Sequence, residues 1–78
     1  MADETKPPYL RIAEDLEQDI RSGRLAPGAR VPSLNRLSQE YEVAKNTVVK
    51  ALEVLRGKGL IVSHQGYGTF VAPKAQWL

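Results

Sequence analysis

A polar run in the middle of the chain carries side chains suited to contact with a polyanion. Lys45, Asn46 and Thr47 follow one another, and Lys50 comes one helical turn after Asn46. An ammonium group attracts phosphate, a hydroxyl can donate to phosphate at a helix N-terminus, and a carboxamide matches the N6/N7 edge of adenine. These residue types predict contact with DNA, whereas the alternative is a plain solvated helix end.

Val49 lies on the same side of the predicted helix, where an apolar residue needs an explanation. One explanation is contact with the methyl group of a thymine in the major groove. The other is an isolated surface valine, which is common in folded proteins. The sequence leaves both explanations open.

The start of the preceding helix supplies a second group of polar side chains. Ser33 is placed to cap that helix, because its hydroxyl can accept a backbone N–H of the first turn. Asn35 either reaches a phosphate or makes no contact. Arg36 either contacts a phosphate or pairs with Glu40 four residues further on. All three side chains at the helix start are candidate DNA-binding groups.

A glycine-containing tip near the end of the chain forms the third group. Gly66 allows the backbone to approach a phosphate or a minor groove, and Gln65 can read the acceptor edge there. Tyr67 can stack on a sugar or donate to a phosphate. A hairpin turn that needs positive φ explains the glycines as well, and the two explanations are compatible.

Three helices and one hairpin would place these groups on one surface. Apolar residues recur at helical spacing over about 8–22, 34–41 and 45–57, and β-formers flank the glycines over 60–63 and 69–72. A turn of three residues separates the second helix from the third, as in a helix-turn-helix. The predicted fold is mainly α with a small β-hairpin (α+β), a winged helix-turn-helix with a two- or three-stranded wing.

Local signals also predict the connections and the core. Pro27 and Gly28 suit the central positions of a type II turn, and Arg30 with Val31 is a candidate third strand. The predicted buried positions are Tyr9, Ile12, Ala13, Leu16, Ile20, Leu34, Leu37, Tyr41, Val48, Ala51, Leu52 and Leu55.

Seventy-eight residues allow one domain with a modest core, which dimerisation would help to stabilise. We assign residues 1–7 to a disordered tail, residues 8–73 to the domain and residues 74–78 to a C-terminal tail. Trp77 in that C-terminal tail either packs across a dimer or belongs to a disordered end.

Composition excludes several other classes of function. The chain has no cysteine, which excludes disulfides and thiolate zinc sites, and its one histidine cannot form a metal site by itself. No apolar run approaches the ~18–20 residues of a membrane span, and the acidic start is unlike a secretory signal, so we expect a cytoplasmic protein. Neither a catalytic constellation nor a phosphate-binding glycine loop is present, so we expect neither an enzyme nor a cofactor.

Charge is distributed unevenly along the chain. Residues 1–23 carry six acidic and three basic side chains, whereas residues 24–78 carry eight basic and three acidic ones. A phosphate backbone would attract the second part and repel the first. Two ordinary solvated surfaces are the alternative.

Three segments occur in order along the chain: IAEDLEQDIRSGRLAPGARVPS, LSQEYEVAKNTVVKALEVLRGKGLI and QGYGTFV. Together they resemble the N-terminal winged helix-turn-helix domain of the GntR family of bacterial transcription regulators. The resemblance covers residues 9–72. It is specific because several pieces occur in order at the right spacing: the helix that closes in SGRLAPG, the PS cap, the third helix and the wing.

The chain departs from the family pattern at four positions. Ala44 and Lys45 stand where the family usually has a hydroxyl residue and an arginine, and Asn35 and Val49 stand where it often has arginines. Loss of the hydroxyl removes a helix cap worth about 1 kcal/mol, and lysine lacks the fork that reads guanine with two hydrogen bonds. These departures imply either an operator unlike the commoner family sites or a lower affinity.

The resemblance implies sequence-specific binding of double-stranded DNA and regulation of transcription by repression. It implies a homodimer on an operator with two half-sites, with the recognition helix in the major groove and the wing tip in the minor groove. A winged helix that binds a protein partner is the alternative. Family members usually carry a C-terminal effector-binding domain; these residues hold none, so we expect no small-molecule site and either the N-terminal part of a longer regulator or a short stand-alone one.

Overall fold

A computed structural model describes residues 6–78. The elements are helices α1 (Pro8–Ser22), α2 (Leu34–Tyr41) and α3 (Lys45–Gly57), then strands β1 (Ile61–His64) and β2 (Gly68–Val71). The predicted three helices and hairpin are confirmed. The first five positions of the tail predicted over 1–7 lie outside the described residues.

The helix boundaries follow the local signals in the sequence. Pro8 occupies the first turn of α1, and Gly23 ends it with a left-handed φ of 93°. The Ser33 hydroxyl caps α2 by accepting from the backbone N–H of Arg36 at 3.2 Å, as predicted. α3 begins after Ala44 without any side-chain cap.

The loop between α1 and α2 contains the predicted type II turn. The backbone N–H of Ala29 donates to the carbonyl oxygen of Ala26 at 2.8 Å, and Gly28 has a φ of 87°. Arg30 then pairs with Phe70 in a single antiparallel bridge. The wing is therefore a two-stranded hairpin, and the candidate third strand is reduced to this one bridge.

The hairpin is antiparallel, with Ile61 opposite Val71 and His64 opposite Gly68. Both strands lie one residue closer to the turn than predicted. Leu60 and Ala72, predicted as strand residues, flank the ladder, and the backbone N–H of Ala72 still donates to the carbonyl oxygen of Leu60 at 2.9 Å.

The core lies where α1 and α2 pack against α3 and the base of the hairpin. Nine of the twelve predicted positions are buried, whereas Tyr9 and Tyr41 are half-buried at its edge. The prediction for Leu34 is wrong: its side chain is 36% exposed, because the first turn of α2 projects beyond the core. The buried core residues are Ile12, Ala13, Leu16, Ile20, Val31, Leu37, Val48, Ala51, Leu52, Leu55, Leu60, Ile61, Val71 and Ala72.

The interpretation of a disordered C-terminal end is wrong. Residues Lys74–Gln76 form a 3₁₀ turn, and Trp77 packs half-buried against the core of its own domain. The indole Nε1 donates to the carbonyl oxygen of Ala72 at 2.8 Å, and the backbone N–H of Leu78 donates to the carbonyl oxygen of Lys58 at 2.9 Å. The indole therefore packs and donates its hydrogen bond within a single copy of the chain.

Candidate nucleic-acid interface

The outer face of α3 presents the predicted polar run to solvent. Lys45, Asn46, Val49 and Lys50 are all exposed, because the buried stripe of α3 occupies the opposite side of the helix. Thr47 is half-buried. The structure therefore leaves this face available for a groove-sized ligand, although the contacts with DNA stay predictions.

Two members of this face have particular surroundings. The ammonium group of Lys50 lies 5.9 Å from the centroid of the Tyr9 ring, within range of a cation–π interaction with α1. Val49 is 38% exposed, so neither the core nor a neighbouring helix covers it. An uncovered valine here agrees with both explanations that the sequence left open.

A groove of about 360 Å³ separates the wing from the starts of α2 and α3. We call it the interface groove. Its lining brings Lys45, at the start of α3, onto one surface with Ser33 and Asn35 at the start of α2. The full lining is Arg30, Val31, Pro32, Ser33, Leu34, Asn35, Lys45, Leu52, Gly68 and Thr69. No carboxylate is among these residues.

Arg36 points to a partner on its own helix. Its guanidinium Nε lies 3.3 Å from Glu40 Oε2, which is the ion pair that the sequence offered as the alternative to a phosphate contact. Both side chains are more than half exposed, so this pair is weakly held and can exchange for another anion.

The wing tip presents a tight turn. The backbone N–H of Tyr67 donates to the carbonyl oxygen of His64 at 2.9 Å, and Gly66 has a φ of 84°. Gln65 is exposed beside it. The hairpin therefore does require glycine at 66, and the tip is free to approach a ligand.

Tyr67 lies apart from the interface groove. Its side chain is 74% exposed and lines a second, largely apolar depression together with Val62, Phe70 and Pro73. The His64 ring meets the Phe70 ring edge-on, with 5.4 Å between centroids. Tyr67 can meet DNA only at the tip, and the structure does not bring it together with the residues of α2 and α3.

Arg30 is a basic residue of the interface groove that sequence reasoning missed as a site residue. The sequence predicts only a short strand at this position, and a single arginine in such a strand gives no signal of what it faces. Its position depends on the bridge to Phe70, which lies 40 residues later in the chain.

Acidic side chains collect on α1, away from the interface groove. Glu14, Glu17 and Asp19 line a polar depression there, together with Arg21 and Arg24. Hydrogen bonds from Lys58 and Arg21 lower the pKa of Glu17 below its ordinary value of 4.5. The uneven charge of the sequence is thus an uneven charge of the surface.

Within residues 6–78, no group of side chains could hold a metal ion, and no helix is long and apolar enough to span a membrane.

Comparison with known proteins gives a consistent answer. Residues 8–71 match the family described as bacterial regulatory proteins, gntR family. The arabinose metabolism transcriptional repressor of Geobacillus stearothermophilus is 32% identical over 79 residues, covering 97% of this chain and 22% of that protein. The histidine utilization repressor of Pseudomonas aeruginosa is 41% identical over 71 residues, covering 90% of this chain and 28% of that protein. The chain thus spans less than a third of either relative.

Solved structures agree with these sequence matches. The DNA-binding domain of AraR, crystallised in complex with operator ORX1, has a TM-score of 0.84 and 35% identity, covering 92% of this chain and 87% of that one. Its complex with operator ORR3 gives the same TM-score. The predictions of a winged helix-turn-helix and of the family are confirmed, and the part of the chain that matches is a regulatory DNA-binding domain. The chain belongs to the GntR family of bacterial regulatory proteins, and the described residues form its winged helix-turn-helix DNA-binding domain.

Proposed function

We propose that this domain binds a double-stranded operator sequence-specifically and represses transcription by occluding it. The observation that carries the proposal is the interface groove beside the exposed face of α3, where cations, amides and hydroxyls gather without a carboxylate in the groove lining. The two relatives described above are named as repressors, which supports repression over activation.

Some of these side chains would position the domain on the duplex, and others would read its base sequence. Lys45, Lys50 and Thr47 would contact phosphates, which set affinity and register. Asn46 would read an adenine edge from the start of α3 in the major groove, and Val49 would contact a thymine methyl. Ser33, Asn35 and Arg36 would contact the backbone beside them, and the wing tip, with Gln65, Gly66 and Tyr67, would enter the minor groove.

We further propose that two copies bind an operator with two half-sites. A domain this small makes few base contacts, so one copy supplies limited affinity and specificity. Two copies related by a two-fold axis read a palindromic site twice, with half-sites separated by a whole number of helical turns. Such a regulator acts at the chromosome, so we infer a cytoplasmic location.

Selection of genomic fragments with the purified protein would test the proposal. We expect fragments that share a palindromic motif and are bound at two copies per site. Affinity for the recovered duplex should fall steeply with added salt, with a log–log slope near −0.9 for each phosphate neutralised. A protein-interaction module would instead enrich no motif and show weak DNA association.

Charge-matched variants make the test specific to the interface. Lys45→Gln should weaken binding to all duplexes and flatten the salt dependence. Lys74→Gln removes an equal charge from the C-terminal 3₁₀ turn, where the ammonium group lies 5.9 Å from the Trp77 ring, and should leave binding unchanged. Equal effects of the two variants would contradict the assignment of α3 as the DNA-reading helix.

A further inference from the structure

Arg30 occupies a defined position in the interface groove. A methyl group built on Gly68 would lie 3.1 Å from its Nε and 3.2 Å from its Nη2, so the guanidinium packs against the backbone of this glycine, which pairs with His64 at the turn end of the wing. A side chain at 68 would make the guanidinium shift by a few tenths of an ångström, and the φ of 115° favours glycine there. The Arg30 side chain thus reaches from the loop before α2 to the turn end of the wing.

The Arg30 guanidinium has no protein partner in the part of the chain that the structure describes. The carboxylates paired with basic side chains there are Glu14, Glu17, Asp19 and Glu40, and Arg30 is in none of these pairs. Lys45 is the other cation in the groove lining. The groove therefore holds two positive charges that no carboxylate of residues 6–78 pairs with.

The geometry of duplex DNA indicates which part of the duplex would lie in the interface groove. In the proposed function, α3 lies in the major groove and the wing tip lies in the adjacent minor groove. The two grooves of a duplex are separated by a sugar–phosphate strand, so this strand must cross the space between helix and wing. Arg30 and Lys45 line that space.

We propose that Arg30 binds a phosphate of the strand that separates the two grooves. A guanidinium offers a planar fork of N–H donors that matches two phosphate oxygens, and it keeps its charge at every accessible pH. Gly68 has no side chain, so the guanidinium can lie against the wing backbone beside the turn. This inference rests on the proposed function and adds a contact that anchors the wing relative to α3.

Fluorescence anisotropy with two labelled duplexes tests the proposal: the duplex recovered by genomic selection and one of random sequence. Arg30→Gln should bind both duplexes roughly tenfold more weakly at low salt, because a phosphate contact carries no base information. Its log–log salt slope should be flatter than that of the wild type by about 0.9. Arg30→Met, which keeps the aliphatic length, should behave in the same way.

Two controls define the alternatives. Arg24→Gln removes an 82% exposed cation beside Asp19 and should match the wild type in affinity and slope. Arg30→Lys keeps the charge and should keep the slope while losing part of the affinity.

The outcomes separate this inference from the proposed function. If neutral variants at Arg30 bind more weakly but keep the wild-type slope, the residue only positions the wing and the phosphate contact is wrong. If they bind as the wild type does, the inference fails while the proposed function stands. Failure of the wild type to bind either duplex would overturn the proposed function, and the inference with it.

Discussion

Lys58 Nζ lies 2.8 Å from Glu17 Oε1, and this contact joins the end of α3 to the middle of α1. Glu17 also accepts from Arg21 Nε at 2.8 Å. Arg21 in turn donates to the carbonyl oxygen of Leu78 at 2.7 Å. Since α3 is 13 residues long, this cluster lies roughly 19 Å along the helix from Lys45. Stability at this end can therefore be changed without touching the proposed DNA interface.

Glu17→Gln should destabilise the domain by about 1 kcal/mol at pH 7, because it weakens two partly exposed ion pairs. The folded state lowers the pKa of Glu17 below 4.5, so its stabilising contribution is present above pH 4.5 and is lost as the pH falls through the lowered value. Urea unfolding at pH 7 and at pH 3 should therefore show a difference from the wild type that shrinks in acid. Glu53→Gln, at an exposed position of α3, is the control; a Glu17→Gln deficit of equal size at both pH values would contradict the prediction.

Tyr41→Phe should change how the free energy of unfolding depends on pH in the alkaline range. The Tyr41 hydroxyl donates to Asp15 Oδ2 at 3.0 Å. Burial and the Asp15 carboxylate raise its pKa from 10.0 to about 12, so the contribution is complete below pH 10 and is lost as the pH rises toward 12. The variant should lose about 1 kcal/mol at pH 7 and recover relative to the wild type above pH 10.

Unfolding in urea at pH 7, 10 and 12 measures this change. Tyr67→Phe alters a ring that is 74% exposed and serves as the matched control. A difference between Tyr41→Phe and the wild type that stays constant across the three pH values would show that the hydroxyl is not the titrating group.

Gly59→Ala should be more destabilising than Gly23→Ala, although both residues have positive φ, 73° and 93°. A methyl group at Gly59 would overlap the carbonyl oxygen of Gln76, whereas one at Gly23 meets nothing within 4 Å. Backbone strain alone costs roughly 1–2 kcal/mol at either site, and overpacking adds about 1 kcal/mol or more at Gly59.

Thermal unfolding of the two variants measures the difference. Removal of residues 74–78 should make them equal, because the obstructing carbonyl is then gone. Equal melting temperatures in the full chain would mean that the C-terminal segment does not rest on Gly59.

Val49→Ser should relax the preference for one A·T pair in each half-site without weakening binding to other sequences. The valine is 38% exposed, so the fold does not depend on it, and a serine cannot make the apolar contact with a thymine methyl. Anisotropy against single-base variants of the selected duplex measures this. Lys45→Gln should instead lower affinity for all of them, and an unchanged profile for Val49→Ser would identify an ordinary surface valine.

Local features of the fold were predictable because their causes lie within a few residues. Ser33 caps α2 through an N–H three residues away, and Gly28 supplies the positive φ that a type II turn requires. The stripe of α3 follows helical periodicity and is buried throughout. Leu34 shows the limit of that reasoning, since periodicity gives the side of a helix but not how far the core extends along it.

Short-range chemistry in the sequence by itself determined the helices, the turns, the hairpin and the polar run at the start of α3. Only the tertiary structure decided that Trp77 packs on its own domain and that Arg30 rests on Gly68 at the turn end of the wing. The reason is physical: the wing must fold back before Gly68 and Arg30, 38 positions apart, can meet, and no local preference of either residue encodes that approach.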